Sequence, residues 1–227
     1  SGMIRLPALT EQGGAHMDRR TFLQGTVASP IVVAVPKQKR GKRTPFCRCA
    51  YEPHLMQEEG PVRRWGKTHL RFCIVNRDKR DMSSLAWQSA IQQAFDSWSA
   101  VSPMRFARTT DARDADILLG VGKGERHWFD GPRGVLAWAM MPTTDSFSGQ
   151  LVTMFDSSES WVTSEPQDKE ILLRNVAAHE IGHLLGLRHS AEDTALMYPF
   201  YRHGIAAPQP VDDVSKIQSL YPMTYQR

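Results

Sequence analysis

The chain has 227 residues, 41% of them hydrophobic and 23% charged, which is enough apolar sequence to bury one sizeable core and excludes a wholly disordered or fibrous protein. Its formal charge of +4 is unevenly placed. Residues 1–48 hold nine Lys/Arg against Glu11 and Asp18, a net of +7, so residues 49–227 carry −3 and give no electrostatic reason to expect a nucleic-acid partner.

No run of 18 or more apolar residues occurs, so no transmembrane segment is expected. From the N-terminus, Met17-Asp-Arg-Arg-Thr-Phe-Leu-Gln24 followed by the mildly apolar Gly25–Pro36 resembles a twin-arginine export signal; a chance arginine pair in a basic tail is the competing reading, and no A-x-A cleavage site is present. Residues 1–48, which end beyond the basic run Lys37–Arg43, show no sustained periodicity and read as a leader or pro-segment. Three cysteines, Cys47, Cys49 and Cys73, are too few for a disulfide scaffold, and their odd number leaves at least one thiol without an intrachain partner.

Further along, Leu70, Phe72 and Ile74 alternate with Arg71, Cys73 and Val75, which predicts a strand over 68–76 with the first set buried. After Ser83 and Ser84, either of which can cap, Trp87, Ile91, Ala94, Phe95 and Trp98 form one apolar stripe at helical spacing. Short strands are predicted at 104–109, 115–121, 135–141 and 150–155, and helices at 169–185 and 211–220. That order predicts a mixed α+β domain with helices packed on a sheet.

The decisive segment is His179-Glu-Ile-Gly-His-Leu-Leu-Gly-Leu-Arg-His189. Residues four apart share a helix face, so His179 and His183 can offer two imidazole nitrogens to one Zn²⁺. Glu180 lies beside that face, placed to act as general base. Gly186 tolerates left-handed backbone angles, so it can end the helix and return His189 as third ligand. Three protein ligands with a fourth position open is the catalytic form of a zinc site.

This extended motif resembles the metzincin metalloproteases, and Ala195-Leu-Met-Tyr-Pro-Phe-Tyr201 resembles the Met-turn of one branch, the matrixins. Trp65–Phe72, Ala94–Trp98, Ala115–Ile117 and Ile217–Tyr221 are similar to matrixin segments in the same order. The resemblance implies a twisted, mostly parallel five-stranded sheet with three helices, the second bearing the zinc motif. It further implies Met197 as an apolar floor under the imidazoles, with an acidic residue of Asp212-Asp213 buttressing the turn. Pro199 and Tyr201 would wall the pocket for the residue after the scissile bond, and an extended substrate would lie along Val135–Ala139, touching Leu136 and Ala137.

Departures from the family are equally informative. Where matrixins place histidines of a second, structural zinc, this chain has Leu136-Ala-Trp-Ala139 and Thr153-Met-Phe-Asp156. Trp138 and Met154 cannot supply imidazoles, and His127 alone cannot hold the ion, so apolar packing is expected instead. Asp130, Asp156 and Glu159 match three carboxylates of a family Ca²⁺ site, with unremarkable surface acids as the competing reading. Arg48-Cys-Ala-Tyr-Glu-Pro53 is a degraded match to the segment whose cysteine keeps matrixins latent, which makes Cys49 a candidate zinc ligand of the inactive state.

The expected organisation is a leader over 1–48, a cysteine-switch segment over 49–64 and a catalytic domain over 65–227. The expected function is zinc-dependent hydrolysis of peptide bonds in protein or peptide substrates by a secreted or extracytoplasmic monomer, made as a zymogen. A catalytically silent zinc- and calcium-binding interaction module of the same fold is the alternative.

Overall fold

The computed structural model describes residues 46–49, 63–75, 84–124 and 127–223. Most of the leader, most of the cysteine-switch segment and Ser83 lie outside the described residues. In chain order the elements are strands β1 (Phe46–Cys49) and β2 (His69–Ile74), helix α1 (Leu85–Ser99), strands β3 (Arg105–Arg108), β4 (Ile117–Gly122), β5 (Val135–Ala139) and β6 (Leu151–Asp156), two short strands β7 (Trp161–Val162) and β8 (Ile171–Leu172), helix α2 (Leu173–Leu184) and helix α3 (Ser215–Leu220).

The main sheet runs β1-β5-β6-β4-β2-β3. Strands β3, β2, β4 and β6 are mutually parallel, and β5 turns back antiparallel to β6. These are the five strands expected. A sixth, β1, precedes the other strands in sequence and joins the outer edge of β5 in parallel. All six residues of β4 are buried, as befits a central parallel strand covered on both faces. The same cover reaches the end of β2: Leu70 and Phe72 are buried as predicted, but Cys73 is buried too, because beside β4 the second face no longer meets solvent.

Helix α1 begins where Ser84 Oγ accepts from the Trp87 amide at 3.2 Å. Its stripe of Trp87, Ala90, Ile91, Ala94, Phe95 and Trp98 is buried, as the spacing predicts. Trp98 Nε1 donates to the Ala178 carbonyl of α2 at 2.8 Å, which locks the two helices together. They approach closely at Gly182, where a Cβ would collide with the sulfur of Met197 and the ring of Trp98.

Helix α2 starts at Leu173, later than the predicted residue 169, because Ile171 and Leu172 pair as β8 with β7. No side chain caps it; the Leu172 amide instead donates to Tyr201 Oη at 3.0 Å. At its other end Gly186 has φ 101°, and the amides of Gly186 and Leu187 donate to the carbonyls of His183 and Gly182 at 2.9 and 3.0 Å. This paired arrangement is a Schellman motif, and it reverses the chain toward His189. The last predicted helix divides into a π-helical turn over Pro210–Val214 followed by α3.

Candidate metal centre

The turn at Gly186 brings His189 back over the face of α2 that carries His179 and His183. All three imidazoles are buried, and Nε2 of His183 lies 3.1 Å from Nε2 of both His179 and His189. The backbone sets the ring roles. His179 Nδ1 donates to the Leu196 carbonyl at 2.7 Å, and His183 Nδ1 to the Leu187 carbonyl at 2.8 Å. A carbonyl only accepts, so Nδ1 carries the proton in both rings and each Nε2 presents a lone pair. Two lone pairs facing each other at 3.1 Å cannot bond to one another, whereas a cation between them satisfies both. Among the described residues these three rings form the one set of His, Cys, Asp or Glu ligand atoms that lie within 4.8 Å of one another.

Burial keeps the rings neutral. It lowers the pKa of His179 to about 4, and burial with the charge of His179 lowers that of His189 to about 3. His183 is pushed well down by burial and then by both neighbours. At neutral pH all three are therefore in the form that binds metal. Glu180, next in sequence to His179, has no exposed surface.

Met197 is also fully buried and lies against α2 at Gly182. Of the two candidate buttresses, Asp213 holds the turn. Its buried carboxylate accepts from the amides of Leu196, Met197 and Gln209 at 2.7, 3.1 and 2.8 Å. Asp212 instead pairs with Lys216 at 2.8 Å.

A small cavity of about 20 Å³ adjoins His179, lined by Asn175, Val176, Leu196, Tyr198 and Tyr201 among others. Tyr201 is among the residues that line it. Pro199 is buried but is not among the lining residues. Leu136 and Ala137 have fully buried side chains, and the outer backbone edge of their strand is taken by β1, with Cys47 opposite Ala137 and Cys49 opposite Ala139.

The three candidate calcium ligands do not converge as tightly as the imidazoles. Asp130 is exposed and Oδ1 accepts from the Val135 amide at 2.8 Å, while Glu159 is buried and accepts from the Arg133 amide. Asp156 has no exposed surface; Oδ1 accepts from Ser158, but Oδ2 accepts no hydrogen bond. Burial, then the charges of Asp156 and Asp130, raises the pKa of Glu159, so the acids sense one another. Nearby, Trp138 and Met154 pack with Phe129, Val135 and Val152 in a small apolar cluster, and Trp138 Nε1 donates to the His127 carbonyl at 2.8 Å.

Two residues escaped the sequence reading. Asn175 precedes His179 by one helical turn, and that i, i+4 spacing was the available signal. Tyr221 stands in the sequence only as the end of a matrixin-like segment, with nothing to mark its hydroxyl. Its hydroxyl accepts from the Trp65 amide at 2.9 Å and donates to the Leu185 carbonyl at 2.8 Å, while Trp65 Nε1 donates to the Leu184 carbonyl at 2.7 Å, so the start of the domain is clasped to the end of α2.

A sheet-and-three-helix domain in which a two-histidine helix, a glycine turn and a third histidine sit against a buried methionine turn is of the metzincin type. The sequence profile of the matrixin family matches residues 64–222, and the chain belongs to that family. It is 38% identical over 165 residues to human (Homo sapiens) matrix metalloproteinase-20, a stretch covering 70% of this chain and 32% of that protein, so the chain spans about a third of that relative's length.

Proposed function

We propose that this chain is a zinc-dependent endopeptidase acting on extended protein or peptide substrates. The observation that carries the reading is the trio of buried, neutral imidazoles whose Nε2 atoms converge beside the buried Glu180. His179, His183 and His189 would hold the ion. A zinc ion held there would supply Lewis acidity toward the scissile carbonyl and the attacking water. Glu180 takes the proton of that water on its carboxylate and passes it to the leaving amine nitrogen. The carbonyls of Leu196 and Leu187 hold the rings of His179 and His183 in the required tautomer. Met197 closes the floor, and the pocket lined by Tyr201 receives the residue following the scissile bond.

The substrate backbone would add to the outer edge of β5 at Leu136 and Ala137. In the full chain β1 takes that edge and also lies against α2, which supports latency: the leader must leave before a substrate strand can pair. Cys49, at the end of β1, is the proposed zinc ligand of the latent form, with the boundaries 1–48, 49–64 and 65–227 marking leader, switch and catalytic domain. A Ca²⁺ bound by Asp130, Asp156 and Glu159 would steady the loops before β5 and after β6; the burial of Asp156 and its unpaired Oδ2 support that assignment. A secreted or extracytoplasmic monomer fits the leader and the absence of any helix long and apolar enough to cross a membrane among the described residues.

The test combines metal analysis with cleavage of a broad peptide library by the full chain, before and after limited trypsin digestion. One catalytic zinc per chain is expected, with activity that rises on digestion and is lost in Glu180→Ala. Activity surviving in Glu180→Ala sinks the mechanism; zinc binding without cleavage of any peptide favours a silent binding module.

A further inference from the structure

The sheet carries an open groove of about 480 Å³ at its β3 end, on the face turned away from α1. Strand alternation builds it. Phe72 and Phe106 turn toward α1, where the ring of Phe95 lies 4.2 and 4.7 Å from theirs. His69 and Arg71 of β2 and Arg105 and Ala107 of β3 therefore stand on the opposite face, and all four are exposed. In the parallel register His69 lies opposite Arg105, and Arg71 lies opposite Ala107, whose small side chain leaves the hollow. Lys67 also lines it.

Two features separate this groove from an ordinary solvated face. Lys67 and Arg71 are matched by Asp116 at 2.7 Å and Asp114 at 3.6 Å, whereas Arg105 pairs with no carboxylate among the described residues. Its Nη1 is instead held by the carbonyls of Ser99, Ser102 and Met104 at 3.2, 3.0 and 2.8 Å. The guanidinium is thus fixed, and its Nε and Nη2 make no hydrogen bond among the described residues. The second feature is the edge itself, since β3 is the last strand of the sheet. The amides of Arg105 and Thr109 donate inward, to the carbonyls of Thr68 and Phe72 at 2.8 Å each. Alternation then turns the amides of Phe106 and Arg108 outward, where no strand among the described residues pairs with them.

We infer that this edge docks an extended acidic segment of another protein, which adds to β3 as an outer strand and sets a carboxylate on the Nε and Nη2 side of Arg105. A fixed planar guanidinium matches a carboxylate through two parallel hydrogen bonds. Main-chain pairing to the free edge supplies affinity, and the charge supplies selection. Arg105 and Arg108 on that edge repel the same edge of a second copy, so the occupant is an acidic partner and not this chain paired with itself. The site stands apart from the zinc chemistry. Four strand spacings separate β3 from β5, about 19 Å, so a protein held there leaves the cleft free.

The test uses the full chain as Glu180→Gln, to prevent turnover, and a short fluorescent peptide that alternates Glu with Thr, read by anisotropy. Adding Arg105→Gln should weaken binding about three- to fivefold, the size of an exposed charge pair. Ala107→Glu, which leaves the tethers of Arg105 in place and fills the hollow with a negative charge, should do the same and serves should the glutamine variant not fold. Methylating every second amide of the peptide should cost about tenfold, through the lost edge hydrogen bonds. The basic leader attracts acidic peptides too, but it is identical in every variant, so these ratios isolate the groove. Equal binding by the Arg105 and Ala107 variants overturns the inference and assigns the affinity to the leader. A methylated peptide that binds as well as its parent overturns strand addition. A heparin fragment that binds more tightly than the peptide, with the same loss in Arg105→Gln, overturns the acidic peptide as occupant. None of these readouts involves cleavage, so failure here leaves the peptidase reading intact, and failure of that reading leaves this one.

Discussion

Leu196 accepts a 2.7 Å hydrogen bond from Nδ1 of His179 on its carbonyl, while its amide donates to the buried carboxylate of Asp213 at 2.7 Å. One residue of the Met-turn therefore links the C-terminal segment to the tautomer of a metal-facing imidazole. The order and spacing of donors, rather than any direct contact, lets Asp213 act on His179.

Replacing Asp213 by Asn should destabilise the protein by about 3 kcal/mol, because a carboxylate that accepts three amide hydrogen bonds gives way to a group with one acceptor and two donors. Urea denaturation should show a lower midpoint at unchanged slope. Zinc retained per chain should fall as well; full retention would mean that the Met-turn keeps its place without the carboxylate.

Gly182→Ala offers a sign test. In an exposed helix interior the change stabilises by about 1 kcal/mol. Here a Cβ would collide with Met197 and Trp98, so a loss of about 1–3 kcal/mol is expected from overpacking. A melting temperature above that of wild type would show that the turn and α1 yield more easily than their burial implies.

The proton affinities of the imidazoles predict an unusual pH response. Folded values of about 4 for His179 and about 3 for His189 lie below the ordinary 6.5, so the unfolded chain takes up protons first as pH falls. Their contribution to the stability of metal-free protein is complete above pH 6.5 and is lost progressively from 6.5 down through about 4 and 3. Zinc affinity of the folded state should meanwhile stay nearly level from pH 7 to 5. A solvent-exposed site would lose about tenfold per histidine for each pH unit below 6.5. Competition with a chelator of known proton affinities distinguishes the two, and a steep loss between pH 6.5 and 5.5 contradicts the buried, neutral assignment.

Calcium should raise the melting temperature of the full chain, by the equivalent of about 2.7 kcal/mol at a hundredfold excess over its dissociation constant. Asp156→Ala should remove that dependence, since it deletes the buried carboxylate whose Oδ2 lacks a partner. Equal calcium responses in wild type and variant would defeat the assignment.

The parts of this protein legible in its sequence were those set by local periodicity and backbone rules. The stripe from Trp87 to Trp98 gave α1, spacing of four placed His179 and His183 on one face, and Gly186 marked the turn that returns His189. Each depends only on the pitch of a helix or the steric freedom of one residue, and so is written along the chain. The late start of α2 was not: Ile171 and Leu172 become strand because Trp161 and Val162 are there to pair with them. Nor could spacing show that Asp213 rather than Asp212 would carry the Met-turn, that Gly182 is where two side chains press on α2, or that Asn175 would keep one acceptor unpaired beside the cavity. Those features depend on which distant groups meet once the core closes. A hydrogen bond between residues 17 apart, or a collision between α2 and a turn beyond it, is decided by three-dimensional proximity, which only the packed tertiary structure supplies.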